Sequence, residues 1–481
     1  MNWRKSIAVA LALLLLCLSV ASCQKEKTPP SAEPEETETD APPISAELQT
    51  DYTDDADRMA YLRTFEEIFC DLAESPAEDF SFAEADGKLT VTGYTGQDPQ
   101  VRVPAAVDGK PVVAIGRGVF ANNAVITALY LPDSITSIGE EILAGATQLR
   151  ALHTSVLGTP DMPYLGYLFA PKTNENEPVV ITHEKNAVHV PPSLQYLELG
   201  TGLSAIPDYA LFDCNDLVCI SLPTTVKTLG KAAMFQCTSL LAVNLDGLTS
   251  IGENALGLCT SLTRVELGTS LTEVGFGAFE GCMKVRRIIL PFVGGTPTEN
   301  NYLGYLFGAK SPDFSAGFYP TYLVEVKLLS ATALGDYTFY ECDSLLRVEL
   351  PEGLTAIGVR AFSKCIRLEE ISIPNSVTTI SANAFVGCKK LKTVGFGENA
   401  SLASIGLNAF YGCRALTAIQ LPRTLTALPA SCFADCTSLA TVDLGGVTHV
   451  GKNAFRNCIS LTSLTSAGAV TFEDGNELAQ K

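Results

Sequence analysis

The sequence predicts a repeat solenoid of about 23 residues per coil, built mostly of short β-strands with short helical or 3-10 turns, plus one N-terminal amphipathic helix. Three observations predict it. A frame of Ala361-Phe362, Cys365, then Leu368, Ile371 and Ile373 at strand spacing, Pro374 and an apolar run ending at Ile380 returns at Ala384-Phe385, Ala409-Phe410 and Ala454-Phe455. Twelve such frames are anchored at Phe120, Leu143, Leu211, Met234, Leu256, Phe279, Phe339, Phe362, Phe385, Phe410, Phe433 and Phe455. Ten of the twelve place a cysteine three residues after the anchor: Cys214, Cys237, Cys259, Cys282, Cys342, Cys365, Cys388, Cys413, Cys436 and Cys458. Self-similarity at this period marks units that bury a core only by stacking on their neighbours.

Taken in order, residues 1–22 read as a signal peptide. Arg4 and Lys5 form its positive start, and residues 7–20 are an apolar stretch too short for a comfortable membrane span. Val20-Ala21-Ser22-Cys23 resembles the bacterial lipobox, which implies lipidation of Cys23 and an extracytoplasmic protein anchored to the membrane or cell surface. Loss of Arg4 and Lys5 takes the formal charge from -20 to -20 - 2 = -22. Residues 23–50 read as a disordered acidic tether rich in Pro, Glu and Thr. Its 27 residues after Cys23 reach roughly 30 Å as a coil.

Residues 51–79 carry the helix. Leu62, Phe65, Phe69 and Leu72 lie on one face with Tyr61 and Ile68, Asp54, Asp55 and Asp57 suit its start, and Ser75-Pro76 stops it near residue 74. It reads as a cap over the exposed first coil, with partner binding the alternative. Residues 80–119 are a strand-rich lead-in with a turn at Asp108-Gly109. The repeats fill 120–466, and 467–481 is a tail. Two anchor gaps are long, Leu143 to Leu211 and Phe279 to Phe339, and place insertions near 155–195 and 291–325. Both insertions contain Gly-Thr-Pro followed by Tyr-Leu-Gly-Tyr-Leu-Phe, at 164–169 and 302–307.

The A-F-x-x-C-x-x-L-x-x-I-x-L-P-x-x-V-x-x-I-G frame resembles the BspA-type leucine-rich repeats of bacterial surface proteins. The resemblance covers roughly 80–464. It implies a leucine-rich repeat fold and a surface protein that adheres to host or partner-cell proteins.

The remaining residues argue mainly against chemistry. A net charge of -20 lacks the basic footprint of a nucleic-acid binder. His153, His183, His189 and His449 sit in no catalytic or metal motif, so neither an enzyme nor a metal or cofactor site is expected. The cysteine ladder reads as buried small hydrophobes; Cys219 and Cys432 lie off it, and Cys219, on an outward strand position, is the reactive candidate. Outward strand positions are polar and varied, with neither repeated aromatics for glycans nor repeated bases for phosphates. Aromatics gather in the insertions, where Tyr164, Tyr167, Phe169, Tyr302, Tyr305, Phe307, Tyr319 and Tyr322 are the candidate binding residues. The alternative is that they fill small cores of their own. Three functions remain in play: binding extracellular proteins, capturing a glycan or peptide, or acting as an envelope spacer. Oligomeric state is not legible.

Overall fold

The computed structural model describes residues 66–169 and 190–476. Cys23, the signal peptide, the tether, most of the N-terminal helix, His183 and His189 lie outside the described residues. Each coil has a longer strand on one side, a two-residue strand on a second, and a turn carrying the anchor on the third. The longer strands stack in parallel, the first six being Gln100–Arg102, Ala128–Tyr130, Ala151–Thr154, Tyr196–Leu199, Cys219–Ser221 and Ala242–Val243. Arg264–Glu266, Arg287–Leu290, Glu325–Leu328 and Arg347–Glu349 follow, then Glu370–Ile373 with Thr393–Phe396, then three more strands ending at Ser463–Thr465. In-register alternation sends Leu129, Leu152, Leu197 and Ile220 inward and leaves Tyr130, His153, Glu198 and Ser221 on the outer face.

The lead-in joins the solenoid. Lys88–Tyr94 runs antiparallel to Phe80–Ala85 but parallel to Lys110–Ile115, which pairs with Ser137–Ile138 of the next coil. Asp108 and Gly109 both have positive φ, as the tight turn at that place requires. At the other end the array runs past 466. Thr471–Phe472 pairs with His449–Val450, and the buried Asn476 side chain accepts from the Phe455 amide at 3.1 Å, where another coil would offer a carbonyl. Residues 467–476 therefore close the last coil, and the carboxamide satisfies an amide that burial would otherwise orphan.

The anchors form one stack. Phe339, Phe362, Phe385, Phe410, Phe433 and Phe455 are fully buried, with successive ring centroids 5.0–5.8 Å apart. The amide of each anchor reaches the coil after it, as in Phe362 to the Ala384 carbonyl at 2.8 Å and Phe385 to Ala409 at 2.7 Å. The ladder cysteines do more than fill volume. The Cys388 thiol donates to the Phe362 carbonyl at 3.0 Å, Cys365 to Phe339 at 3.1 Å and Cys458 to Phe433 at 3.1 Å. A small residue with one weak donor fits there, because it packs as an apolar group and still satisfies a buried carbonyl. Burial pushes the thiols of Cys237 and Cys458 up to about 12, so they stay protonated and unreactive.

Left-handed residues flank the anchors at two positions before and two after. Arg360 and Lys364 bracket Phe362, Asn383 and Gly387 bracket Phe385, and Ala232 and Gln236 bracket Met234, all with φ between 49° and 74°. A Cβ is penalised in that region. Ala232→Gly is therefore expected to raise stability by about 1 kcal/mol, read by urea unfolding.

Candidate interaction surface

The two insertion motifs are extra coils on the turn side, not excursions. The Leu143 amide donates to the Leu168 carbonyl and Leu165 to Ala210, so 164–169 occupies an anchor position between two frames. The second copy repeats this, with Phe279 donating to Leu306 and Leu303 to Thr338. Each motif folds as a short 3-10 turn, Leu165–Leu168 and Leu303–Phe307. This changes the standing of the candidate aromatics. Tyr164, Tyr167, Phe169, Tyr302, Phe307 and Tyr319 are buried, and Tyr305 is half-buried against Phe276 at 5.4 Å. The Tyr302 hydroxyl donates to the Ala309 carbonyl at 2.9 Å, and that of Tyr319 to Tyr340 at 3.2 Å. These seven hold their extra coils in place. Tyr322 alone of the eight is exposed, at 45%. Two aromatics outside that set, Phe314 at 72% and Phe318 at 40%, stand exposed in the same insertion. The sequence signal for them was present, as they belong to the same aromatic-rich run.

The outer face of the long strands divides into regions. Over the first strands, Arg102 places its guanidinium 4.1 Å from the centre of the Tyr130 ring, and Tyr130 stacks on His153 at 3.9 Å. His153 lies 3.8 Å from Asp133, which also accepts from Ser155 and Thr201 at 2.5 Å each. Burial holds His153 below its usual range despite a 2.9 Å bond to the Leu131 carbonyl, so it is neutral at pH 7. Burial favours the neutral form of Asp133, but the Ser155 and Thr201 bonds outweigh it and lower its pKa. Among the described residues no cluster has the composition to hold a metal ion.

Glu198, next to His153 in the ladder, is pushed up to about 7, first by burial and then by Asp133, with Arg102 opposing. Below its ordinary 4.5 it is protonated whether the chain is folded or not, and its folded environment suits that form. As pH rises through 7 it ionises in a partly desolvated site, so its contribution is present in acid and lost above neutrality. Glu198→Gln is expected to stabilise the chain by on the order of 1–2 kcal/mol at pH 8, and hardly at all at pH 4.5, in parallel urea titrations.

Further along, outward charges pair across the rungs: Arg287 with Glu325 at 3.4 Å, Lys327 with Glu349 at 2.6 Å and Arg347 with Glu370 at 3.8 Å. The more exposed of these pairs, Lys327–Glu349 and Arg347–Glu370, contribute little stability and mainly fix side chains. The ladder is interrupted between Arg347–Glu349 and Glu370–Ile373, and a groove of about 760 Å³ opens there. Glu349, Glu370, Ser372, Asn375 and Phe396 line it, and Gly395 supplies no side chain to fill it.

In-register parallel strands, stacked anchors and one coil per frame define a leucine-rich repeat solenoid. Six copies of a single repeat model match residues 110–156, 184–295, 315–402 and 356–475. The chain belongs to the family of BspA type leucine rich repeat regions. Among curated proteins none matches it significantly. Solved structures similar to it include a leucine rich cell surface protein from Faecalibacterium prausnitzii, 23% identical over 83% of this chain and 96% of that one, TM-score 0.28. A leucine-rich repeat protein from Bacteroides ovatus is 20% identical over 84% of this chain and 99% of that one, TM-score 0.31. The family assignment rests on the repeat match.

Proposed function

We propose that the protein is a cell-surface lipoprotein, anchored through Cys23, that binds macromolecular partners by its solenoid and performs no catalysis. The lipobox-like stretch at 20–23 supports the anchor, and the repeat family supports recognition. The observation that carries the binding role is the trio Phe314, Phe318 and Tyr322, three large exposed side chains within nine residues of an insertion. Exposed aromatics concentrated in one segment are costly in water and are enriched where partners dock. The partner class is an extracellular or host-cell protein. Binding of the mature chain to a panel of matrix proteins, set beside a glycan array, tests this. Retention on proteins alone supports it; retention on glycans alone overturns it.

A second reading has its own support. The groove between Arg347 and Phe396 is the size of a small-ligand cleft, which suits a lipoprotein that captures a peptide or glycan. Under that reading substitutions at Glu349 and Glu370 abolish binding and substitutions at Phe314 do not.

A further inference from the structure

The outer face of the long strands offers no open apolar site. Cys219 is 0% exposed, so it is not the reactive thiol its outward position suggests. The Phe69 ring, from the helical turn Glu66–Cys70, lies buried on that face and meets Tyr130 edge-on at 5.7 Å, instead of capping the end of the array. Unfilled space is found on the side of the two-residue strands, where the second insertion enters.

There the ladder of two-residue strands stops at Glu273–Val274 and resumes at Ala333–Leu334. The intervening coil starts its rung and cannot finish it. Val274 donates its amide to the Gly295 carbonyl at 2.8 Å, a register that sets Pro297 level with Gly275. Gly275 donates to the Ile251 carbonyl at 2.7 Å, but Pro297 has no N–H to do the same. The chain turns away instead, through a 3.1 Å bond from the Thr296 amide to the Glu299 carbonyl. The next coil is left without a rung to pair with at this place. In the coils on either side, Thr272 and Gly275 donate backward to Thr249 and Ile251, and Thr355 and Gly358 to Thr332 and Leu334, at 2.7–3.0 Å. Thr332 and Gly335 hold the same places in their own coil. Among the described residues their amides meet no acceptor.

A pocket of about 200 Å³ is lined by both residues. Its walls include the buried side chains of Leu271, Phe292, Val293 and Leu334, and no charged side chain lines it. Both ends are shut. At one, the Ser330 amide donates to the Pro291 carbonyl at 3.2 Å. At the other, the Leu303 amide donates to the Thr338 carbonyl at 2.9 Å and the Thr338 hydroxyl to the Asn301 carbonyl at 3.2 Å.

These features select an occupant. Shut ends exclude a peptide that runs through, so a chain can enter only by its terminus. The unpaired backbone groups are both donors, which suits a carboxylate and not an ammonium. Apolar walls take a hydrophobic side chain, and no lining carboxylate repels the charge. We propose that this pocket captures the free carboxyl end of a protein partner that finishes in an apolar residue, with the Thr332 and Gly335 amides holding the carboxylate. The site adds to the protein-binding reading but stands apart from the aromatic trio, so either can fail alone.

The test is titration of the full-length protein by saturation-transfer NMR at pH 7. The probes are the hexapeptide Gly-Ser-Gly-Ser-Gly-Leu as the free acid, the same peptide as its C-terminal amide, and N-acetylglucosamine. The free acid is expected to bind through its leucine methyls, and the amide about tenfold or more weakly. Thr332→Pro removes a donor that folding does not use, and is expected to weaken the free acid by about tenfold. Ala333→Trp, at an exposed position lining the pocket, is expected to block entry by bulk and covers the case in which proline unfolds the chain. Equal binding of acid and amide, binding of neither, or binding of N-acetylglucosamine in their place would overturn the proposal. So would binding of the acid that neither Thr332→Pro nor Ala333→Trp reduces.

Discussion

Phe385→Ala is expected to lower the unfolding free energy by about 3–5 kcal/mol in a urea titration followed by circular dichroism. Its ring is fully buried, 5.0 Å from that of Phe362 and 5.1 Å from that of Phe410, with interplanar angles of 4° and 1°. Parallel rings at this separation are compatible with offset stacking, one of the two arrangements that aromatic quadrupoles favour. The rise from coil to coil imposes the arrangement, so the stabilisation is burial and dispersion. Neighbouring rungs are held at ladder spacing by backbone bonds such as that from the Phe385 amide to the Ala409 carbonyl, and cannot close over the void. Leu407→Ala, at a 49% exposed position, is expected to cost under about 0.5 kcal/mol. Equal losses at the two sites would mean that Phe385 is not in a packed stack.

The combined substitution Phe314→Ser, Phe318→Ser and Tyr322→Ser is expected to weaken partner binding by about 100-fold or more with little change in stability. Phe314 is mostly in water and Phe318 and Tyr322 are partly so, so folding gains less from them than from a core residue, whereas docking desolvates all three at once. Point substitution is the cleaner route here, because deleting 295–321 also removes the Leu306 coil on which Phe279 rests. Surface binding read by biolayer interferometry, with urea unfolding alongside, separates the two effects. Unchanged affinity would move the binding role away from this insertion.

The period, the anchors and the burial of the thiols were legible because apolar residues in a solenoid repeat in phase, and Phe362, Cys365 and Leu368 recur in kind at Phe385, Cys388 and Leu391. The extra coils at 164–169 and 302–307 were not, since no strand run follows them at the frame's spacing: Tyr196–Leu199 and Glu325–Leu328 begin far beyond Phe169 and Phe307, whereas Glu370–Ile373 follows closely on Phe362. Their aromatics looked like a binding surface for that reason, and six of the eight turned out to be buried packing. Left-handed positions were half visible: Asn383 and Gly387 advertise such a conformation, but Arg360 and Leu258 do not, and only the stacking of turns forces them there. The helical periodicity showed that Phe69 needed a surface but not which one. The clue lay in Ala128 and Ala151, small outward residues that become informative once register sets them side by side. Arg102 and Glu198 escaped for a related reason, as their coupling depends on strands far apart in sequence.

The central claim is that the period near 23 residues is a physical coil. Sulfur anomalous scattering from a crystal of the protein tests it most directly. The fold predicts the sulfurs of Cys342, Cys365, Cys388, Cys413, Cys436 and Cys458 in single file, about one strand spacing of 4.8 Å apart, beside the phenylalanine stack. Sulfur peaks scattered through the molecule, or Phe362 and Phe385 in different cores, would contradict it.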